Sequence, residues 1–261
     1  MEQHHQESIE KFLDLYKKDP NILAILLGGS IVHGFAQSDS DIDVLIIVDS
    51  EEYQRRRKIN ELTFPIKDIC TYENGYIDCK VIDINFLTKV SKYGSDPARY
   101  AFKDNKILFS KVNNLSVLLE EITSYPKDKK REREKRFASQ LLAWKWFYSE
   151  GLKKKNNYLV FLSLQKIVLF SSRIILNENE MLYPFHKWML EEVKVATRKP
   201  EGYMDKVNEI FESHTLDKVN KFCKEVLDFV KLEERAIDWP NYFLKDSEQN
   251  WIDHEPPVDD L

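Results

Sequence analysis

The stretch LGGSIVHGFAQSDSDIDVLIIV, residues 27–48, joins a glycine turn to a pair of aspartates, Asp41 and Asp43, at the mouth of an apolar run. The run after the aspartates is Val, Leu and Ile at nearly every position, which predicts a strand buried on both faces. Upstream, ILAILL at 22–27 predicts a second strand that stops at Gly28 and Gly29. Between them a short helix is expected from about Ser30 to Phe35, with SDSD as a polar turn. In a strand, positions i and i+2 project to one face, so Asp41 and Asp43 are expected to point together, about 7 Å apart along the backbone. Two carboxylates so placed repel each other unless a cation lies between them. A hard divalent ion such as Mg²⁺ takes oxygen ligands and accepts phosphate oxygens in the same shell.

The glycines supply the other half of this chemistry. Without a Cβ, Gly28 and Gly29 allow a tight turn and a close backbone approach to a ligand. Ser30 offers a hydroxyl, and the helix start offers N–H donors to an anion. Donors for phosphate on one side and carboxylates for metal on the other can together hold a nucleoside triphosphate. No Gly-Lys-Ser/Thr follows the glycines, so this is not a P-loop.

The rest of the first hundred residues gives a helix at SIEKFLDLYKK (8–18), capped by Ser8. It also gives an exposed helix or loop at EEYQRRRKINELTF (51–64) and a third long strand in GYIDCKVIDINFL (75–87), running into a helix. Asp78 and Asp83 both lie in that strand, an odd number apart, so only one can join the aspartate pair. Asp78 is preferred; Asp83 can instead cap the helix at NFLTKV. After about Leu115 strand signals give way to long helical patterns: LSVLLEEITSY, KDKKREREKRFASQLLAWKWFYSEGL, NYLVFLSLQKIVLFSSRIIL, PFHKWMLEEVKVAT and LDKVNKFCKEVLDFVKLEER. The expected class is α+β: a small mixed-sheet domain over 1–114, a helical bundle over 115–245 and an acidic coil tail over 246–261.

The 261 residues are 43% hydrophobic and 12% aromatic, enough for a substantial core, and the net charge is −5 despite 32% charged residues. That balance excludes a strongly basic nucleic-acid binder and argues against RNA as a substrate. Cys70, Cys79 and Cys223 have no metal-ligand spacing and read as reduced. The polar N-terminus and the expectation that no apolar run approaches the roughly 20 residues of a membrane span point to a cytoplasmic protein. KDKKREREKR reads as a solvated helix face. Lys166, on a helix apolar nearly all round, must snorkel, pair or face a pocket. His33 and His186 receive no catalytic role.

GGSIVHGFAQSDSDID resembles the signature of the DNA polymerase β-type nucleotidyltransferase superfamily, Gly-Ser followed by Asp-x-Asp entering a strand. Its members include the aminoglycoside and lincosamide antibiotic nucleotidyltransferases. RIILNENEMLYPFHKW similarly resembles a segment of their helical half, with Asn177, Pro184, Lys187 and Trp188 in the matching places. The resemblance implies transfer of a nucleoside monophosphate from ATP to a hydroxyl, with one or two Mg²⁺ ions held by Asp41, Asp43 and a third carboxylate, Asp78 or Asp83. It further implies that Gly29, Ser30 and Lys187 bind the nucleotide, and that the acceptor is a small hydroxylated molecule, a role in antibiotic resistance. A tRNA end or a protein side chain is the second acceptor class, and a non-catalytic nucleotide-binding relic the third reading.

Overall fold

The computed structural model describes residues 1–253, 255, 256 and 258–260. They form two compact units, Met1–Ser124 and Tyr125–Leu261.

The first unit runs α1 (Gln3–Tyr16), β1 (Ile22–Leu27), α2 (Gly29–His33), β2 (Ile42–Val48), α3 (Ser50–Lys58), β3 (Thr63–Ile66), β4 (Ile77–Asp83), α4 (Ile84–Tyr93), α5 (Asp96–Tyr100), β5 (Lys106–Ser110) and α6 (Leu115–Thr123). Its five strands lie in the order β3-β4-β2-β1-β5. β2 and β4 are parallel, and every other neighbouring pair is antiparallel, so the sheet is mixed. The three central strands are the three read from sequence, because their side chains are buried on both faces. One face packs Ile25, Leu27, Ile42, Val44, Ile77 and Cys79 with Phe12 of α1. The other packs Ala24, Leu26, Ile47 and Ile82 with Leu87 of α4 and Leu119 of α6. Asp43, Asp78 and Lys80 share the parity of Ile47 and Ile82 and therefore stand on this second face.

Several expectations are corrected. β3 and β5 escape the sequence reading because both are short edge strands with half-exposed side chains, and Pro65 in β3 argues against a strand anywhere but at an edge. α1 begins at Gln3 rather than Ser8. Ser8 is buried inside it, donating to the His4 carbonyl at 2.8 Å and accepting from Thr71 N–H at 3.2 Å. α6 packs on the sheet through Leu115, Leu119 and Ile122, so the division falls after Ser124 and not at 114.

The second unit holds α7 (Lys130–Lys153), α8 (Asn157–Glu178), α9 (Met189–Val195), α10 (Tyr203–Ser213), α11 (Leu216–Phe229) and α12 (Trp239–Phe243) around one apolar core. α8 supplies Leu164, Ile167, Ile174 and Ile175 to it. Contrary to the sequence expectation, α8 is long and apolar enough to cross a membrane by length and composition, the one such helix among the described residues; about half of its most apolar window is buried within this unit. PFHKW does not start a helix: Phe185 has φ +71°, residues 186–188 form a turn, and α9 begins at Met189. α10 went unread, since only Tyr203, Val207 and Ile210 mark its apolar face. The charge run on α7 is only partly solvated, because Lys130 reaches Glu178 and Glu180, and Arg136 binds Asp246 at 2.8 Å. The predicted tail is thus tied to α7 at its start, and Leu244–Glu248 is a π-helical turn rather than coil. Residues 254, 257 and 261 of that tail lie outside the described residues.

Candidate active site

The glycine turn and the first aspartates meet where β1 ends and β2 begins, because the two strands are antiparallel and Leu27 pairs with Val44. Gly28 N–H donates to the Asp43 carbonyl at 2.9 Å, which fixes the turn against the strand. Gly29 follows with φ +68°, and a Cβ built there would lie 1.8 Å from Asp43 Oδ2. Only glycine can occupy that position: the Asp43 carboxylate fills the space a side chain would need. Ser30 is buried, and its Oγ has no hydrogen-bond partner among the described residues. A buried hydroxyl left unpaired costs roughly 1–3 kcal/mol.

Asp43 is paired in register with Asp78 across the parallel β2–β4 ladder, which sets their backbones about 4.8 Å apart with side chains on the same face. Lys80, two residues beyond Asp78, bridges them: its Nζ is 3.0 Å from Asp78 Oδ2 and 3.3 Å from Asp43 Oδ1. Burial raises the Asp43 pKa above the ordinary carboxylate value, with Lys80 opposing and the charges of Asp41 and Asp78 reinforcing the rise. Burial alone would lower the Lys80 pKa, but hydrogen bonds and charge from Asp78 and Asp43 outweigh it and raise the value.

Asp41 stands one residue before β2, so strand parity does not by itself aim it. Its Oδ2 accepts from Tyr76 O–H at 3.0 Å, and that bond holds the Tyr76 pKa above normal. The loop before Asp41 is clamped from below. His4 Nε2 bonds the Ser38 carbonyl at 2.8 Å, His5 Nε2 bonds the Ser40 carbonyl at 3.1 Å, and Tyr72 O–H donates to the same carbonyl at 2.8 Å. None of these four partners of the loop and Asp41 was read from sequence; their signal is tertiary, because helix α1 and the 67–76 loop are distant in the chain.

His5 is fully buried and its Nδ1 has no partner among the described residues, so its bond to the Ser40 carbonyl needs a proton on Nε2, and a second proton on Nδ1 would be a buried N–H with no acceptor. Burial, then the neighbouring His4, lowers its pKa. The folded state therefore binds fewer protons here than the unfolded state, and the stability this gives is present above about pH 6.5 and lost as pH falls below it. The thermal midpoint should fall between pH 7 and pH 5, and His5→Gln, which keeps an N–H in reach of Ser40, should show a shallower fall. An unchanged slope in that variant would remove His5 as a source of the acid sensitivity.

Asp83 sits elsewhere. It is 3% exposed, caps α4 by accepting from Phe86 N–H at 2.7 Å, and also accepts from Ser50 and Asn85. Of the two alternatives for a third carboxylate, only Asp78 stands beside Asp43. Asn105, unnoticed in the sequence, has both side-chain amide atoms buried without partners among the described residues, and its Oδ1 would be 3.1 Å from a Cβ at Gly28.

In the helical unit, Lys187 is exposed in the 186–188 turn with its Nζ 4.9 Å from the Trp188 ring centroid. Asn177 has a structural task, accepting from Tyr125 O–H and donating to the Lys130 carbonyl at 3.1 Å. Lys166 lies over the Trp144 ring at 5.7 Å, satisfying its charge as a cation–π pair.

Among the described residues, no three His, Cys, Asp or Glu side chains are gathered closely enough to hold a metal ion as they stand. The donor chemistry nonetheless fits Mg²⁺: Asp41, Asp43 and Asp78 offer only hard oxygens, and a cation, the Lys80 ammonium, already lies between two of them.

Residues 9–114 match the family model described as "Polymerase beta, Nucleotidyltransferase". No curated protein matches the chain. Among solved structures, a nucleotidyltransferase-like protein from Exiguobacterium sibiricum 255-15 matches with TM-score 0.50 and 9% identity, over 94% of this chain and 80% of that one, which is a likeness of fold. Spectinomycin adenyltransferase AAD(9) from Enterococcus faecialis, solved with ATP and spectinomycin, matches with TM-score 0.30 and 14% identity, over 85% of this chain and 98% of that one; at that score the likeness carries no argument. The matched segment, residues 9–114, spans the glycine turn and Asp41, Asp43 and Asp78, and this part of the chain is similar to polymerase β-type nucleotidyltransferase domains.

Proposed function

We propose that the chain transfers a nucleoside monophosphate, AMP from ATP, to a hydroxyl of a small molecule, using Asp41, Asp43 and Asp78. The observation that carries this reading is the in-register pair Asp43–Asp78, bridged by a cation, beside a glycine whose missing Cβ makes room for Asp43. When bound, Mg²⁺ would polarise the α-phosphate and neutralise charge on the departing pyrophosphate. Asp41, Asp43 and Asp78 are the residues that would hold it. Gly29 and Ser30 contribute close backbone approach and an unpaired hydroxyl for the β- and γ-phosphates. The acceptor oxygen forms a bond to the α-phosphorus as the α–β bridging bond breaks. Asp78 takes the acceptor proton, and pyrophosphate leaves.

The acceptor assignment rests on the resemblance of RIILNENEMLYPFHKW and on the acidic balance of the chain, which favours a cationic antibiotic over RNA. An aminoglycoside or lincosamide is therefore proposed as the acceptor. Incubation with ATP and Mg²⁺ across aminoglycosides, lincosamides and tRNA, followed by the mass of the product, tests this. Gain of one nucleotidyl group on a small molecule is expected, and modification of tRNA alone would overturn the acceptor class.

Asp78 and Asp83 separate cleanly by experiment. Asp78→Asn should cut turnover by about 10²–10⁴-fold while nucleotide binding stays measurable by calorimetry. Asp83→Ala should cost roughly 0.5–2 kcal/mol through the lost cap, with transfer per folded molecule near wild type. The reverse pattern would assign the third carboxylate to Asp83.

A further inference from the structure

Lys80 is not part of the sequence signature, yet it makes the shortest ionic contacts in the aspartate cluster. Its place follows from parity: Asp78 and Lys80 share a face of β4, and the parallel register lays that face beside Asp43. The side chain is 53% exposed, so its four-carbon stem is free to swing on the solvent side while its ammonium is held by two carboxylates.

We propose that Lys80 is an internal counter-ion occupying the cation position between Asp43 and Asp78, so that the domain takes a divalent cation together with a nucleoside triphosphate rather than alone. This rests on the reading of those carboxylates as metal ligands. An ammonium within 3.3 Å of both carboxylates and a divalent ion bound by the same oxygens would repel each other strongly, so the two cations exclude one another. A metal arriving alone must displace Lys80 into water, giving up both ion pairs with no replacement. A metal arriving on a triphosphate brings several negative charges, and the displaced ammonium then has phosphate oxygens to pair with. Without metal, the same lysine offsets the repulsion among Asp41, Asp43 and Asp78, which keeps the carboxylates in register while the site is empty of nucleotide. No covalent bond changes; one cation replaces another.

The test is the binding of Mn²⁺, read from the electron paramagnetic resonance signal of the free ion, with and without α,β-methylene-ATP. Lys80→Gln should bind Mn²⁺ alone at least about fivefold more tightly than wild type, the fold-change of roughly 1 kcal/mol for partly exposed ion pairs. The difference should shrink once the nucleotide analogue is present. Lys80→Arg, which keeps the charge, should behave like wild type, and Lys11→Gln, an exposed lysine on α1, should not change Mn²⁺ affinity. In metal-free buffer the Lys80→Gln midpoint should lie below wild type and recover on adding Mn²⁺, a response a merely structural lysine would not give. Equal affinity of wild type and Lys80→Gln for Mn²⁺ alone, with both binding it in the presence of the analogue, would overturn the counter-ion role and leave the metal ligands standing. Absence of Mn²⁺ binding in every protein even with the analogue, or binding indifferent to Asp43→Asn, would overturn the ligand assignment and this proposal with it.

Discussion

Asp43→Asn is expected to lower nucleotidyl transfer by about three orders of magnitude while leaving the thermal midpoint at or above that of wild type. The two halves of this result have one cause. Asp43 is charged in a place that disfavours charge: burial raises its pKa, and Asp41 and Asp78 add to the rise. A neutral amide of the same shape relieves that repulsion, and Lys80 keeps its 3.0 Å contact with Asp78. Stability therefore does not suffer, whereas the ligand for a divalent cation is gone. Asp41→Asn should lose transfer similarly, since the amide oxygen can still accept from Tyr76 O–H but carries no charge. Near-normal transfer by both well-folded variants would show that neither carboxylate serves the reaction.

Gly29→Ala should be the most damaging single methyl in the domain. The residue has φ +68°, where an alanine costs roughly 1–2 kcal/mol, and its Cβ would meet Asp43 Oδ2 at 1.8 Å. Either the turn opens or Asp43 leaves its position, so transfer should fall about as far as in Asp43→Asn and the midpoint should drop by several degrees. Gly34→Ala separates the two causes. Gly34 also has a left-handed φ, +76°, but a Cβ there meets nothing within 4 Å. That variant should share the conformational cost and keep its activity. Combining Gly29→Ala with Asp43→Asn should reduce transfer little beyond either change alone, because both act on one carboxylate. Wild-type turnover in Gly29→Ala would mean that the contact between the turn and Asp43 is dispensable.

The parts legible in the sequence were those with strong local signals. ILAILL and IDVLIIV are buried on nearly every residue, so their strands were plain, and the glycines and aspartates at their ends were placed by the same pattern. Parity separated Asp78 from Asp83, and the cap at Phe86 confirms where Asp83 points. What stayed hidden depends on partners far away in the chain. Parity puts Lys80 on the face of Asp78, but only the register across β2 and β4 brings it beside Asp43 as well. Tyr76, His4, His5 and Tyr72 act on the Asp41 loop from segments some 30 residues or more away. Edge strands β3 and β5 have too few buried side chains to show a period. Phe185 illustrates the opposite error: a Pro followed by a good helical pattern suggested a helix start, and a left-handed residue after the Pro delayed it to Met189.

The most direct measurement is the fate of label from ATP carrying either an α- or a γ-labelled phosphate, incubated with Mg²⁺, the chain and the acceptor panel. The α-label is expected to move into the acceptor and the γ-label to leave in pyrophosphate, and Asp43→Asn and Asp78→Asn are expected to abolish the α-transfer. Label from the γ-position in the acceptor, or no α-label in any acceptor from a wild-type protein that binds the nucleotide, would contradict the proposed transfer.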